Sequence, residues 1–304
     1  MTRPDREDPA PRRFVPELVL VGITILWGAT FLITKTGLGE SGPLFFVGSR
    51  FGIAALVLAL ASPGILRGWT RIDLIGAGMI GLTMVVGYAL QTSGLQSIPS
   101  STSAFLTALY VPFVPLLQLL IFRRMPRRMV WVGIAMAFAG LVLLAGPATV
   151  MTLTLGPGEL LTVLSALAFS FQILLIGVFA ARIDPRRAAL LQLSMVAVGC
   201  FALMPAFHEA IPTITPRLLA CAASLGIASA VIQVAMNWGQ NHVSAARATL
   251  IYAAEPVYAG MIGAAAGEHL TTLAIAGGAL IVSSVVVSEL RLGRAAAAGD
   301  PSAA

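Results

Sequence analysis

Long apolar segments separated by short polar ones run along nearly the whole chain. As helices, segments of about 20 residues cross a hydrocarbon core roughly 30 Å thick. The pattern predicts an all-α integral membrane protein with ten transmembrane helices. These spans are 17–37, 43–61, 73–95, 100–122, 129–147, 157–180, 185–206, 216–240, 244–266 and 271–290.

Composition agrees with this pattern and limits what lies outside the spans. Apolar residues make up 58% of the 304 residues and charged residues 11%, whereas soluble domains are about one-quarter charged. The polar or Ala-rich ends, 1–16 and 292–304, are predicted to be cytoplasmic tails. No soluble catalytic domain fits between the spans.

The positions of the arginines predict the orientation in the membrane. With the N-terminus in the cytoplasm and alternating spans, fifteen arginines face the cytoplasm and one, Arg217, lies in an outer loop. This bias follows the positive-inside rule and places both termini inside. The net charge of +6 then reflects contact with lipid headgroups rather than with nucleic acid. Composition rich in Arg, Ala and Gly favours a bacterial inner membrane.

The two halves of the chain, 17–147 and 157–290, align with an offset of 144 residues. The offset brings Ala104 and Pro112 onto Ala248 and Pro256. Because each five-span half crosses the membrane an odd number of times, the second half is predicted to be inverted. Inverted repeats place a substrate site near the midplane, around a central cavity, and work by alternating access. A transporter is therefore the leading class.

Several motifs resemble a known family. They are "WGATFLITK" (27–35), "PLFFVGSRFGIAAL" (43–56), "GLQSIPSSTSAFLTALYVPFVPLL" (94–117) and "GQNHVSAARATLIYAAEPVYAGMIGAAAGEHLT" (239–271). Together they resemble the EamA-type drug/metabolite transporter superfamily. The resemblance implies a ten-helix exporter or exchanger of small metabolites, and within the family the chain is similar to YddG-like exporters of aromatic and other neutral amino acids. In the second half the W-G pair is replaced by Phe169-Ser170.

Four ionisable residues within spans are candidates for a buried charge, and their depths differ. Lys35 and Arg247 lie near span ends and are expected to reach the headgroups. Arg50 and Glu255 lie at similar depth near the middle, where a charge is costly. We expect an ion pair between them, direct or through water. Three alternatives stay open. The pair is a permanent helix lock without a transport role, or Glu255 binds a substrate ammonium or takes up a proton during turnover, or Glu255 is unpaired and faces a wet cavity.

Prolines are predicted to kink two corresponding spans. Pro112 and Pro115 lie in the fourth span and Pro256 in the ninth. A proline removes a backbone donor and frees the carbonyl four residues earlier. The carbonyls of Ala108 and Tyr252 then become acceptors for a substrate ammonium or water.

Aromatic and polar residues at similar depth are candidates for the cavity wall. They are Trp27, Tyr88, Gln91, Thr107, Tyr110, Phe169, Gln172, Gln233, Asn237, Tyr252 and Glu255. Each polar one has an alternative role in ordinary hydrogen bonding between helices. Such a wall suits a small amphipathic zwitterion such as an amino acid, whereas a phosphate ester would need several midplane cations.

Other function classes stay open at this point. A multidrug exporter of lipophilic cations is the main alternative, and a passive channel is a further one. An enzyme is not expected, because Ser, His and Asp do not cluster. Cys200 and Cys221 lie in apolar spans without other ligands nearby, so neither a metal nor a cofactor is expected. The chain is predicted to work as a monomer.

Overall fold

The computed structural model describes residues 14–98, 100–123, 128–146, 151, 156–265 and 271–289. Apart from residues 14–16, the predicted tails lie outside this part of the chain. The helices are α1 (Val15–Leu38), α2 (Pro43–Ala61), α3 (Arg71–Ser97), α4 (Ser100–Thr107), α5 (Tyr110–Phe122), α6 (Arg128–Ala145), α7 (Pro157–Phe179), α8 (Pro185–Leu203), α9 (Pro216–Gly239), α10 (Ala245–Tyr252), α11 (Glu255–Ala265) and α12 (Thr272–Glu289). Within the described ranges the chain forms no strand.

The helices begin where local chemistry favours a start. Proline is the first residue of α2, α7, α8 and α9. Its missing N–H costs nothing there, because the first turn has no acceptor for it. At the start of α3, Thr70 and Asp73 form a capping box, which satisfies two backbone donors.

Length and composition identify helices that can cross a membrane. Seven segments of the described chain qualify: Val15–Leu38, Pro43–Ala61, Arg71–Ser97, Thr102–Ile121, Pro157–Phe179, Pro185–Leu203 and Pro216–Gly239. Two shorter apolar helices cover Arg128–Leu143 and Thr272–Val287. Large apolar side chains such as Leu60 and Leu120 are 74% exposed, as expected where a helix faces lipid. The all-helical, multi-span prediction is confirmed, while the count of ten crossings stays a prediction.

The contacts between the halves are reciprocal. Helix α2 packs on its counterpart α8, and α6 packs on its counterpart α12. Other contacts recur with the two halves exchanged. Helix α3 contacts α7 as its counterpart α9 contacts α1, and α3 contacts α8 as α9 contacts α2. Helix α5 contacts α7 in the same way as α11 contacts α1. A two-fold relation between the halves would produce this pattern.

Two of the predicted spans are interrupted next to their prolines. Helix α4 ends at Thr107 and α5 begins at Tyr110, while α10 ends at Tyr252 and α11 begins at Glu255. Pro112 and Pro256 lie in the first turn of the second piece, and Pro115 lies inside α5. The Ala108 carbonyl accepts from Val111 N at 2.9 Å, three residues on, because Pro112 has no N–H to donate.

Close helix packing between the halves depends on glycine. A Cβ added to Gly140 of α6 would lie 2.7 Å from the Gly277 carbonyl oxygen and 2.7 Å from Ile281 Cγ1 of α12. A side chain at this position would therefore have to push the two helices apart.

The variant Gly140→Leu is expected to lower the free energy of unfolding by about 1 to 3 kcal/mol, the usual cost of overpacking. Thermal unfolding in detergent would measure the loss. Gly78→Leu on α3 is the matched control, because a Cβ there meets nothing within 4 Å. Equal melting temperatures for the two variants would contradict close packing of α6 on α12.

Candidate functional site

A narrow cavity lies between the two halves. Its volume is about 50 Å³, room for roughly three or four water molecules. The lining comes from both halves: Trp27, Thr30, Phe31, Thr34, Arg50, Tyr88, Gln91, Thr92, Leu95, Thr107, Tyr110, Phe169, Gln172, Ile173, Met236, Tyr252 and Glu255. The structure thus brings together nine of the eleven predicted wall residues, with Arg50.

The other two predicted wall residues, Gln233 and Asn237, lie outside this lining. Their amides face Gln192 of α8, whose Oε1 accepts from Gln233 Nε2 at 2.7 Å and from Asn237 Nδ2 at 2.9 Å. All three side chains are buried. Their positions one turn apart direct both toward α8, so they join two helices instead of facing the cavity.

Sequence reasoning missed seven lining residues, and most of them carried a recognisable signal. Residues 27, 30, 31 and 34 of α1 follow the spacing of one helix face, and residues 88, 91, 92 and 95 of α3 repeat it. Residues 169, 172 and 173 do the same on α7. Extending from Trp27, Tyr88 and Phe169 by this spacing would have identified six of the seven, all but Met236.

Aromatic rings form much of the wall. Trp27 and Tyr252 meet edge to face with centroids 5.2 Å apart, and Tyr88 and Phe169 do so at 5.0 Å. These distances fall in the favourable range for aromatic pairs. The Tyr252 hydroxyl also accepts from Gln240 Nε2 at 3.1 Å, which fixes the ring. The pairs join the halves across the cavity.

Arg50 reaches the cavity from α2 and is 5% exposed. Its Nε donates to Ser229 Oγ of α9 at 2.8 Å. The guanidinium carbon lies 5.1 Å from the Phe51 ring centroid and 5.7 Å from that of Tyr88. Cation–π contacts of this kind partly offset the cost of burying the charge.

The predicted direct ion pair between Arg50 and Glu255 is not formed. Ion pairs in the described part of the chain join Arg187 to Asp73, Arg217 to Glu40 and Arg247 to Glu17. Because Ser229 and two rings hold the guanidinium, Arg50 and Glu255 contribute separately to the cavity wall.

Glu255 opens α11 directly after the helix break and is 8% exposed. The Tyr110 hydroxyl lies 3.0 Å from the Tyr252 carbonyl oxygen and 3.4 Å from Glu255 Oε2. The hydroxyl can donate its one hydrogen to either acceptor, or accept from a protonated carboxyl while it donates to the carbonyl. This arrangement accommodates both protonation states of Glu255.

The glycine of the W-G motif positions Glu255. A Cβ on Gly28 would lie 2.8 Å from Ala259 N and 3.1 Å from the Glu255 carbonyl oxygen. Helix α1 therefore packs directly on the first turn of α11, and the neighbouring Trp27 ring reaches Tyr252. The motif has a packing role at the centre of the site.

Lys35 and Arg247 bind protein groups rather than reaching for the headgroups as predicted. Lys35 Nζ donates to the carbonyls of Leu95 and Ile98 at 2.5 and 3.0 Å, where a helix end offers carbonyls that lack partners. Arg247 Nη1 lies 3.1 Å from Glu17 Oε1. Neither lines the cavity.

A helical membrane protein with a polar and aromatic cavity between two reciprocal halves has the architecture of a membrane transporter. The profile of the EamA-like transporter family matches residues 15–146 and again residues 156–290. The two matches cover most of the chain, so this protein belongs to the EamA-like transporter family, a family of multi-pass membrane proteins. The family resemblance is confirmed.

Similar proteins are also transporters by name. The chain is 26% identical over 284 residues to an uncharacterized transporter of Archaeoglobus fulgidus, covering 92% of this chain and 88% of that one. It is 35% identical over 130 residues, 41% of this chain and 42% of the relative, to the uncharacterized inner membrane transporter YedA of Escherichia coli. The uncharacterized transporter YyaM of Bacillus subtilis is 23% identical over 287 residues, covering 89% of this chain and 92% of that one.

A solved crystal structure shares the fold. The TM-score is 0.75 at 22% sequence identity, with 91% of this chain and 99% of that chain covered. In the described residues, no three His, Cys, Asp or Glu side chains come together to hold a metal ion.

Removing the Tyr110 hydroxyl tests the contact across the helix break. Tyr110→Phe leaves the Tyr252 carbonyl without this donor in a buried setting, so we expect the free energy of unfolding to fall by about 1 to 3 kcal/mol. Thermal unfolding in detergent would measure this, with Tyr258→Phe on α11 as the matched control. Equal stability of the two variants would show that the contact does not hold the break.

Proposed function

We propose that this protein exports small zwitterionic metabolites, aromatic and other neutral amino acids foremost, across a bacterial inner membrane. The observation that carries the proposal is that Arg50 and Glu255, two residues of opposite charge, line one cavity without a direct ion pair between them. A free amino acid carries the complementary pair. Aromatic rings on the same wall would hold its side chain.

Each end of an amino acid finds suitable partners in this wall. Arg50 uses Nε for Ser229, and the guanidinium has further donors on its terminal nitrogens that suit a carboxylate. Glu255 and the Tyr252 carbonyl are acceptors suited to an ammonium. Trp27 and Phe169 offer faces and edges for an apolar or aromatic side chain.

Alternating access is the mechanism we propose for the transport. The reciprocal helix contacts and the two family matches support inverted five-helix repeats, because each half is predicted to cross the membrane an odd number of times. The lining extends to Thr34 and Leu95, near the last residues of α1 and α3. With the predicted topology these ends face outside. A cavity of about 50 Å³ is small for an amino acid, so binding requires the halves to move apart.

A transporter of lipophilic cations is the second candidate. It is favoured by the carboxyl of Glu255 among Trp27, Tyr110 and Tyr252, since aromatic rings and one acid suit a bulky cation. Arg50 on the same wall would repel such a cargo, which is why we place amino acids first. In both cases the chain would work as a monomer, with lipid as its surroundings.

Phenylalanine and two analogues that each lack one charge test this assignment. Phenylethylamine lacks the carboxylate and 3-phenylpropanoate lacks the ammonium. In proteoliposome counterflow, Arg50→Gln should raise the phenylalanine concentration for half-maximal flux about 10- to 100-fold, as expected for a charged hydrogen bond. It should leave inhibition by phenylethylamine nearly unchanged. Glu255→Gln should weaken inhibition by phenylethylamine and leave inhibition by 3-phenylpropanoate nearly unchanged.

Arg182→Gln and Glu159→Gln are the matched controls, since both residues lie outside the cavity lining. If neither Arg50→Gln nor Glu255→Gln changes the phenylalanine flux, neither charge takes part in substrate recognition. Transport of a lipophilic cation without competition from phenylalanine would favour the second candidate. Flux that does not saturate and shows no counterflow would indicate a channel.

An imposed pH gradient tests whether Glu255 takes up a proton during turnover. If it does, wild-type transport should respond to the gradient, and Glu255→Gln should lose the response, because an amide cannot take up a proton at that position. Uptake would be compared with and without a gradient in the same proteoliposomes. Wild-type uptake and gradient response in Glu255→Gln would exclude a role in both substrate binding and coupling.

A further inference from the structure

A second hollow, separate from the central cavity, lies on the side of the molecule between the two halves. It is a lateral groove of about 340 Å³ bounded by α2, α8 and α9. Its walls are almost wholly apolar, with Phe45, Ile53 and Leu56 on one side and Ile214, Leu218 and Leu219 on the other. In a membrane such a groove faces hydrocarbon.

Two glycines of α2 line the groove and differ in what covers them. A Cβ on Gly48 would lie 2.8 Å from the ring of Phe201 on α8, whereas a Cβ on Gly52 would have Ala197 Cβ at 3.8 Å. The ring of Phe201 thus occupies the space above Gly48. A second helix could not pack on both glycines, which disfavours a second copy as the occupant.

The dimensions of the groove match one acyl chain in one leaflet. From Phe45 to Leu56 the α2 wall extends about 16 Å at 1.5 Å per residue. Half of a hydrocarbon core is roughly 15 Å thick. The groove also begins at the end of the molecule where α2 and α9 both start, so its mouth lies at the headgroup level.

Charged side chains surround the mouth. The Arg217 side chain is 67% exposed and lies 3.8 Å from Glu40 Oε1, a long contact that leaves the guanidinium accessible. Glu209 accepts from the backbone N–H groups of Leu44 and Phe45 at 3.0 and 2.6 Å. One cation beside two carboxylates complements a headgroup that carries both a phosphate and an amine.

We propose that this groove is a binding site for an amine-bearing phospholipid of the phosphatidylethanolamine type. One acyl chain fills the groove over Gly52, the phosphate lies at Arg217, and the amine lies toward Glu40. Because the groove walls belong to both halves, the lipid bridges them. The site is independent of the substrate assigned to the central cavity.

Native mass spectrometry of the full chain tests the site with defined lipids. Wild-type protein mixed with phosphatidylethanolamine should retain one tightly held lipid per chain. Gly52→Leu should reduce the retained fraction at least several-fold, because the new side chain fills the groove. Gly22→Leu is the matched control, since Gly22 is exposed on α1 and a Cβ there meets nothing within 4 Å.

A surface variant keeps the test valid should Gly52→Leu not fold. Arg217→Gln should weaken retention of phosphatidylethanolamine while the helix core stays intact. Equal retention in wild type and both groove variants would overturn the proposal. Stronger retention of phosphatidylglycerol than of phosphatidylethanolamine would also overturn it, because the occupant would then be an anionic lipid. A dimer that Gly52→Leu disrupts would overturn it too, because the occupant would then be a second copy of the chain.

Discussion

A carbonyl that loses its helical partner inside a bilayer must find another donor, because lipid offers none. Pro256 has no N–H to donate to the Tyr252 carbonyl, and the hydroxyl of Tyr110, 3.0 Å from this oxygen, is placed to donate to it instead. Since Tyr110 opens α5 and Tyr252 ends α10, this one bond joins the two broken spans. The cavity wall depends on it, because Glu255 begins the helix that follows the break.

The close packing around the break also keeps the charges of the cavity apart. Gly28 lets α1 contact the first turn of α11, where Glu255 lies, while Ser229 of α9 holds the guanidinium of Arg50. Both charges are nearly buried yet reach the same cavity. A direct ion pair would consume the donors and acceptors that the proposed zwitterionic substrate needs, so the absence of a direct pair supports that proposal.

Counting residues along a span predicts how far along the helix a residue lies, but not the direction in which its side chain points. This count predicted one level for Arg50, Tyr110 and Glu255, and the three line one cavity. Depth alone could not show that Gln233 faces α8, or that Ser229 captures Arg50, because the rotation of each helix depends on packing between halves. Helical spacing from Trp27 would have added Thr30 and Thr34, since a face, once anchored, continues by the 3.6-residue repeat.

The duplication separates what the fold requires from what is particular to this chain. With the 144-residue offset Pro256 corresponds to Pro112, and both halves have a helix break beside the proline. The same offset places Val111, fully buried, at the position of Glu255. The break can therefore form without a carboxylate, and an apolar residue would avoid the cost of placing a charge there. Because the break in the first half forms without a carboxylate, the position of Glu255 in the cavity wall is consistent with the proposed role in binding substrate.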